Sequence, residues 1–201
     1  NARVESECYR AVVAARILGE GGRIREIINT LRFISFNFGP TLLDWMEAAA
    51  PDTYSAILEA DRLSQVDHGG HGNAVAQAYH HTILPLASRR EKVTEVRWGI
   101  TDFRRRFLRD PQGMWLPETA VDAETLDVLA QEGVAFTIVA PHQVEAVPAF
   151  GLPGLYRTAS GRSIALFVYD GSISHDVAFG PLLKDTDEWV TRMTAGPSPE
   201  A

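Results

Sequence analysis

The chain is 201 residues long, room for one domain of ordinary size, and its 45% hydrophobic and 22% charged residues exclude general disorder and fibrous repeats. A formal net charge of −7 disfavours nucleic acid or an anionic membrane surface as partner, because neither attracts a net anion. The single cysteine, Cys8, excludes an internal disulfide and permits a reducing, cytoplasmic setting, and no apolar run approaches the roughly 18–20 residues that span a bilayer.

Apolar residues at Cys8, Val12 and Ala15 predict a helix from Glu5 to Leu18, stopped by Gly21-Gly22, with a short second helix over Arg23 to Asn29. Phe33 to Phe38 is dense in strand-favouring residues and ends at Gly39-Pro40, which predicts a strand. Helices are expected over Thr41 to Ala50 and Pro51 to Leu63, because Pro51 suits a first turn and would break one long helix. Asp67 to Gly72 reads as a loop, Asn73 to His81 as a short helix, and Thr82 to Ala87 as either strand or loop. Between Arg89 and Leu108, Val93, Val96, Ile100, Phe103 and Phe107 fall at helical spacing and mark one buried face. A short strand over Met114 to Pro117 precedes a helix that Asp122 caps and that ends near Gly133. Val134 to Ala140 and Ile164 to Tyr169 are apolar on both faces, as parallel strands covered on both sides would be. Ser160-Gly161-Arg162 offers a turn that pairs Leu155 to Thr158 with the last strand. The tail from Gly196 is too polar and proline-rich to pack. Strands alternating with helices argue an α/β architecture, an open sheet or part of a barrel.

In such folds ligands meet the C-terminal ends of the parallel strands. The four predicted strands run into Asn37, Glu118, His142 and Asp170. Glu118 and Asp170 are the carboxylate pair that glycoside hydrolysis requires, one ionised to attack or stabilise an oxocarbenium-like centre and one protonated to release the leaving oxygen. Each is equally suited to capping a helix or turn, Asp170-Gly171 above all. His68, His71, His80 and His81, with Asp67, raise a zinc alternative that the spacing supports poorly, because adjacent histidines on a helix point about 100° apart. Trp115 can stack on a sugar, yet strand alternation sets it on the face opposite Glu118 unless the backbone turns at Pro117.

The segments from His71 to Leu86, from Gly113 to Asp122 with its Trp115-Leu-Pro-Glu118, and from Phe167 to Gly171 together resemble glycoside hydrolase family 57. The likeness covers about Cys8 to Gly180 and is nearest to amylase-like and mannosidase-like members. It implies an incomplete (β/α)7-type barrel of parallel strands alternating with helices. It also implies a retaining hydrolase or glucanotransferase on α-glucan oligosaccharides or polysaccharides, Glu118 being the nucleophile and Asp170 the general acid/base. His81 matches a histidine of the family's Thr-His-x-x-Leu-Pro pattern, with His80 in place of the threonine, and His142 matches a histidine that holds a substrate hydroxyl. The candidate substrate-binding set is therefore Asn37, His71, Asn73, His81, Trp115 and His142, with no metal and no cofactor. The family's opening His-x-His-Gln-Pro strand and its closing aromatic motif are missing, so residues 1–195 read as the middle of a catalytic domain and 196–201 as its tail. A non-catalytic carbohydrate-binding protein and a metal-dependent polysaccharide deacetylase are the alternatives.

Overall fold

A helical segment opens the chain, α1 (Ala2–Val4) continuing through a π-helical stretch, Glu5–Tyr9, into α2 (Arg10–Val13). The computed structural model describes residues 1–149 and 151–195, so the predicted tail at 196–201 lies outside the described residues. The first two helix expectations need correction. Ala14 leaves helical geometry at φ −140°, ψ 51°, and β1 (Ala15–Leu18) pairs antiparallel with β2 (Ile24–Ile28). Gly21 and Gly22, at φ 69° and 73°, turn a hairpin where a helix stop was expected. Their freedom at positive φ serves both purposes equally well, and the β-branched run Ile24, Ile27, Ile28 favours the strand.

Phe33 to Phe38 forms only one parallel bridge, Phe36 to Ala74, instead of a full strand. Its aromatic side chains are used for packing: Phe36 and Phe38 meet edge to face with ring centres 5.7 Å apart and seat against a cluster of Leu31, Leu43, Met46, Ile57 and Ala60. Apart from Leu31, in the turn Thr30–Arg32, that cluster belongs to α3 (Pro40–Ala49) and α4 (Pro51–Asp67); α4 starts on Pro51 as expected, and α3 starts on Pro40, the residue read as the end of the preceding strand. The segment expected as a helix over Asn73 to His81 is extended, with β3 (Ala76–Gln77) in the main sheet. Ala74, Ala76 and Ala78 are buried in alternation, a period of two that alanine's helix propensity conceals. Residues 82–87 hold a 3₁₀ turn, Leu84–Leu86, and no strand.

Helix α5 (Arg89–Phe107) begins with a capping box, Ser88 accepting from the Glu91 N–H while the Glu91 carboxylate accepts from the Ser88 N–H. Its inward face carries Val96, Ile100 and Phe103, as the spacing predicts, and also Gly99, Lys92 and Arg106. Strand β4 (Gly113–Trp115), helix α6 (Ala123–Gln131) capped by Asp122, and strand β5 (Phe136–Val139) follow as expected. Strand β6 (Gly154–Arg157) pairs antiparallel with β7 (Ser163–Val168), the predicted hairpin. Helices α7 (Gly171–Ala178) and α8 (Thr186–Thr194) complete the described chain.

The main sheet has the order β3-β4-β5-β7-β6, with β3, β4, β5 and β7 parallel. One face, carrying Ala76, Met114, Thr137 and Leu166, is buried in a core with Val96, Ile100 and Phe103 of α5 and Leu126 and Leu129 of α6. The other face, carrying Gln77, Trp115, Phe136, Ile138 and Phe167, is half-buried, so the expectation of cover on both sides holds for one face only. Aromatic side chains on this second face shield one another: the Phe136 and Phe167 rings stand edge to face at 5.3 Å, and Phe136 lies over Gly113, where a Cβ would sit 2.2 Å from the ring. Apolar residues on both faces of a strand thus do not by themselves report two covering layers. Among the described residues no helix is long and apolar enough to cross a membrane.

Candidate functional site

Parallel register brings four strand ends to one edge of the sheet. There β3 leads into His80 and His81, β4 into Glu118, β5 into His142 and β7 into Asp170. Only β5 separates the strands of Glu118 and Asp170. Two inter-strand spacings put those strand axes about 9–10 Å apart.

Glu118 sits in the 3₁₀ turn Pro117–Thr119 at φ 56°, ψ 18°, and Thr119 follows at φ 52°. The chain therefore does turn at Pro117, which releases Glu118 from strict alternation with the half-buried Trp115. The Glu118 carboxylate is exposed, and its Oε1 lies 3.2 Å from His81 Nε2. His80 diverges from its neighbour, its Nδ1 meeting Glu95 Oε1 at 2.9 Å. Behind the turn Asp122 caps α6 and accepts from the buried Lys92 Nζ at 2.9 Å. Burial alone would raise the Asp122 carboxyl, but bonds from Lys92 and Thr125 outweigh it and hold it below the usual range.

Asp170 caps α7, its Oδ1 accepting from the Ile173 N–H at 2.8 Å. The capping role foreseen for it takes only this oxygen. Oδ2 is buried without a hydrogen-bond partner, and the residue lines a cavity of about 310 Å³ together with Pro141, Tyr169, Ile173, Ser174 and Met193. An unpaired buried carboxylate oxygen is costly in a purely structural residue. His142 is exposed in the 3₁₀ turn Pro141–Gln143 between these loops. Asn37, just after the Phe36 bridge, donates from Nδ2 to Gln77 Oε1 at 2.7 Å and so joins the same edge beside β3.

His71 and Asn73 belong elsewhere. Both precede β3, at the edge where the strands begin: His71 Nδ1 meets Gln112 Nε2 at 2.6 Å, just ahead of β4. Asn73 donates from Nδ2 to the Arg32 carbonyl at 2.8 Å, and its own N–H bonds Ser64 Oγ at 2.9 Å, which braces the loop against α4. Their nearness to His81 in the chain is undone because β3 runs between them. Among the described residues no group of three His, Cys, Asp or Glu side chains is gathered closely enough to hold a metal ion. Sequence reasoning missed Gln143, whose Nε2 donates to the Thr119 carbonyl at 2.8 Å. It follows His142 directly, so the strand-end rule that picked out His142 reaches it one residue later.

The sequence profile of glycosyl hydrolase family 57 matches residues 30–198. A 4-alpha-glucanotransferase of Thermococcus litoralis is 22% identical over 171 residues, 81% of this chain and 24% of its own length. Alpha-amylase 1 of Dictyoglomus thermophilum is 24% identical over 106 residues, 53% of this chain and 15% of its own. The chain spans no more than a quarter of the length of these curated relatives. Among solved structures, the exo-type maltose-forming amylase of Pyrococcus sp. ST04 superposes on 96% of this chain and 30% of its own, with a TM-score of 0.69 at 20% identity. The T. litoralis glucanotransferase covers 80% of this chain and 25% of its own, with a TM-score of 0.59. A profile match over most of its length, on a shared fold, places the chain in glycosyl hydrolase family 57.

Proposed function

We propose that the chain carries the two catalytic carboxylates of a retaining glycoside hydrolase or glucanotransferase that acts on α-glucans. The observation that carries this reading is the placement of Glu118 and Asp170 at one edge of the sheet, on strands separated only by β5. The described residues would be part of a (β/α)7-type catalytic barrel, with residues 1–195 contributing a portion of it. The names of the similar proteins, a glucanotransferase and amylases, point to α-linked glucose polymers as the substrate.

In this mechanism the Glu118 carboxylate attacks the anomeric carbon while Asp170 gives its proton to the departing glycosidic oxygen. Asp170 then takes a proton from water or from a sugar hydroxyl, which attacks the glycosyl-enzyme and frees Glu118. The division of labour fits the two environments. Glu118 is exposed and faces His81, which can steady its charge, whereas Asp170 has one oxygen fixed by the helix cap and the other free to carry the proton. His142 and Asn37 would hold sugar hydroxyls, and Trp115 would support the sugar-facing side of the sheet.

Replacing Glu118 by Gln in the full-length protein should lower turnover of a maltooligosaccharide by about three orders of magnitude or more. Asp170→Asn should lose comparably on the natural linkage but far less on an aryl glycoside whose leaving group needs no proton. Unchanged turnover in both variants would sink the proposal.

A further inference from the structure

We propose that Gln143 is a positioning residue for Glu118, holding the turn that presents the nucleophile through its main chain. The inference rests on the reading of Glu118 given above. Glu118 and Thr119 occupy the left-handed region in succession, at φ 56° and 52°. A β-branched residue there is a conformational outlier, and such strained geometry persists only where the surroundings impose it. The turn's own bonds, Thr119 N–H to the Leu116 carbonyl at 2.9 Å and Ala120 N–H to the Pro117 carbonyl at 3.0 Å, close it upon itself without attaching it to anything. His81 touches only the exposed end of the Glu118 side chain.

Gln143 supplies the missing attachment. Its Nε2 donates to the Thr119 carbonyl at 2.8 Å, and its Oε1 accepts from the Ala140 N–H at 2.7 Å. Both ends of one amide are used, so a single orientation satisfies both bonds and ties the loop after β4 to the end of β5. Among the described residues no other side chain from outside the turn bonds the main chain of residues 117–120. Gln143 thereby sets the position of Glu118 relative to β5, and through β5 relative to the neighbouring β7 and Asp170. A nucleophile displaced by about 1 Å can lose roughly 100-fold in rate, so the tie has a kinetic consequence.

The test uses the full-length protein with Gln143→Met, which removes both bonds, and Gln143→Glu, which keeps the acceptor for Ala140 but cannot donate to Thr119 while ionised. Turnover is followed with a maltooligosaccharide. Nucleophile reactivity is followed by mass spectrometry with 5-fluoro-α-glucosyl fluoride, from which Glu118 displaces fluoride as the bond from its oxygen to C1 forms. Both variants should show kcat and labelling rates about 10- to 100-fold below the parent near neutral pH, with KM within about threefold. The Gln143→Glu rate, divided by the parent's at each pH, should climb as pH falls and the new carboxyl gains a proton that it can donate to Thr119. A purely structural role predicts instead equal losses in both variants at every pH, in step with thermal stability, and that result overturns the proposal. Parent-like labelling of Glu118 in both variants overturns it as well while leaving Glu118 as the nucleophile. Labelling of the parent at another residue overturns the assignment of Glu118 and the positioning role with it.

Discussion

Asp127 is a small lesson in how a surface-looking residue becomes structural. It lies on α6 with only 6% of its surface exposed, accepting from Arg89 and from Gln131 at 2.9 Å each and from the Ser160 N–H at 3.1 Å. Bonding from Ser160 and then Arg89 holds its carboxyl far below the usual range, against the opposing effect of burial. An acid whose folded pKa is depressed adds stability above its unfolded pKa of about 3.9, and that contribution fades as pH falls towards the folded value. Asp127→Asn should therefore cost about 2 kcal/mol at pH 7, and the gap to the parent should narrow between about pH 5 and pH 2 in urea unfolding. A constant gap across that range would show that the charge is not what binds α6 to the β6–β7 turn. Neither Asp127 nor the buried Lys92 and Arg106 was legible from spacing, because a charged residue on a helix reads as solvated until its partners arrive from other elements.

At the scale of elements, helices with explicit end signals were legible and short extended segments were not. Pro40, Pro51, Ser88 and Asp122 start helices as their local chemistry requires. Residues 15–18, 23–28 and 73–81 read as helices because their strands are only 2 to 5 residues long, too short to express a period of two, and alanine's helix propensity adds to this over 73–81. Gly99 illustrates a contact that decides between propensity and packing. It sits inside α5, where glycine is disfavoured by up to about 1 kcal/mol relative to alanine, yet a Cβ there would lie 2.1 Å from the Gln77 carbonyl oxygen of β3. Gly99→Ala should thus destabilise by about 1–3 kcal/mol in chemical denaturation. A gain in stability, the outcome expected of an unconstrained helix, would show that α5 does not rest so closely on β3.

For the whole molecule, the distribution of apolar surface matters most. Leu18, Ile24 and Ile27 on the β1–β2 hairpin are more than half exposed, and the second face of the main sheet is half-buried. Residues 1–201 alone should self-associate, with a weight-average mass in sedimentation equilibrium that rises with concentration, and Leu18→Lys with Ile27→Lys should weaken the association. A concentration-independent monomer would contradict this. By itself the sequence determined the α/β class, the capped helices, the family and the polar residues Glu118, His142 and Asp170 that follow β4, β5 and β7. These follow from local signals: proline and cap positions, apolar periodicity, and the Trp-Leu-Pro-Glu motif. Only the tertiary structure decided that His71 and Asn73 lie at the opposite edge, that Glu118 stands in a left-handed turn beside His81, and that Gln143 ties this turn to β5. The physical reason is that strand pairing and crossovers join residues 24 to 41 positions apart in the chain, and no local preference records which of two sheet edges a loop will reach.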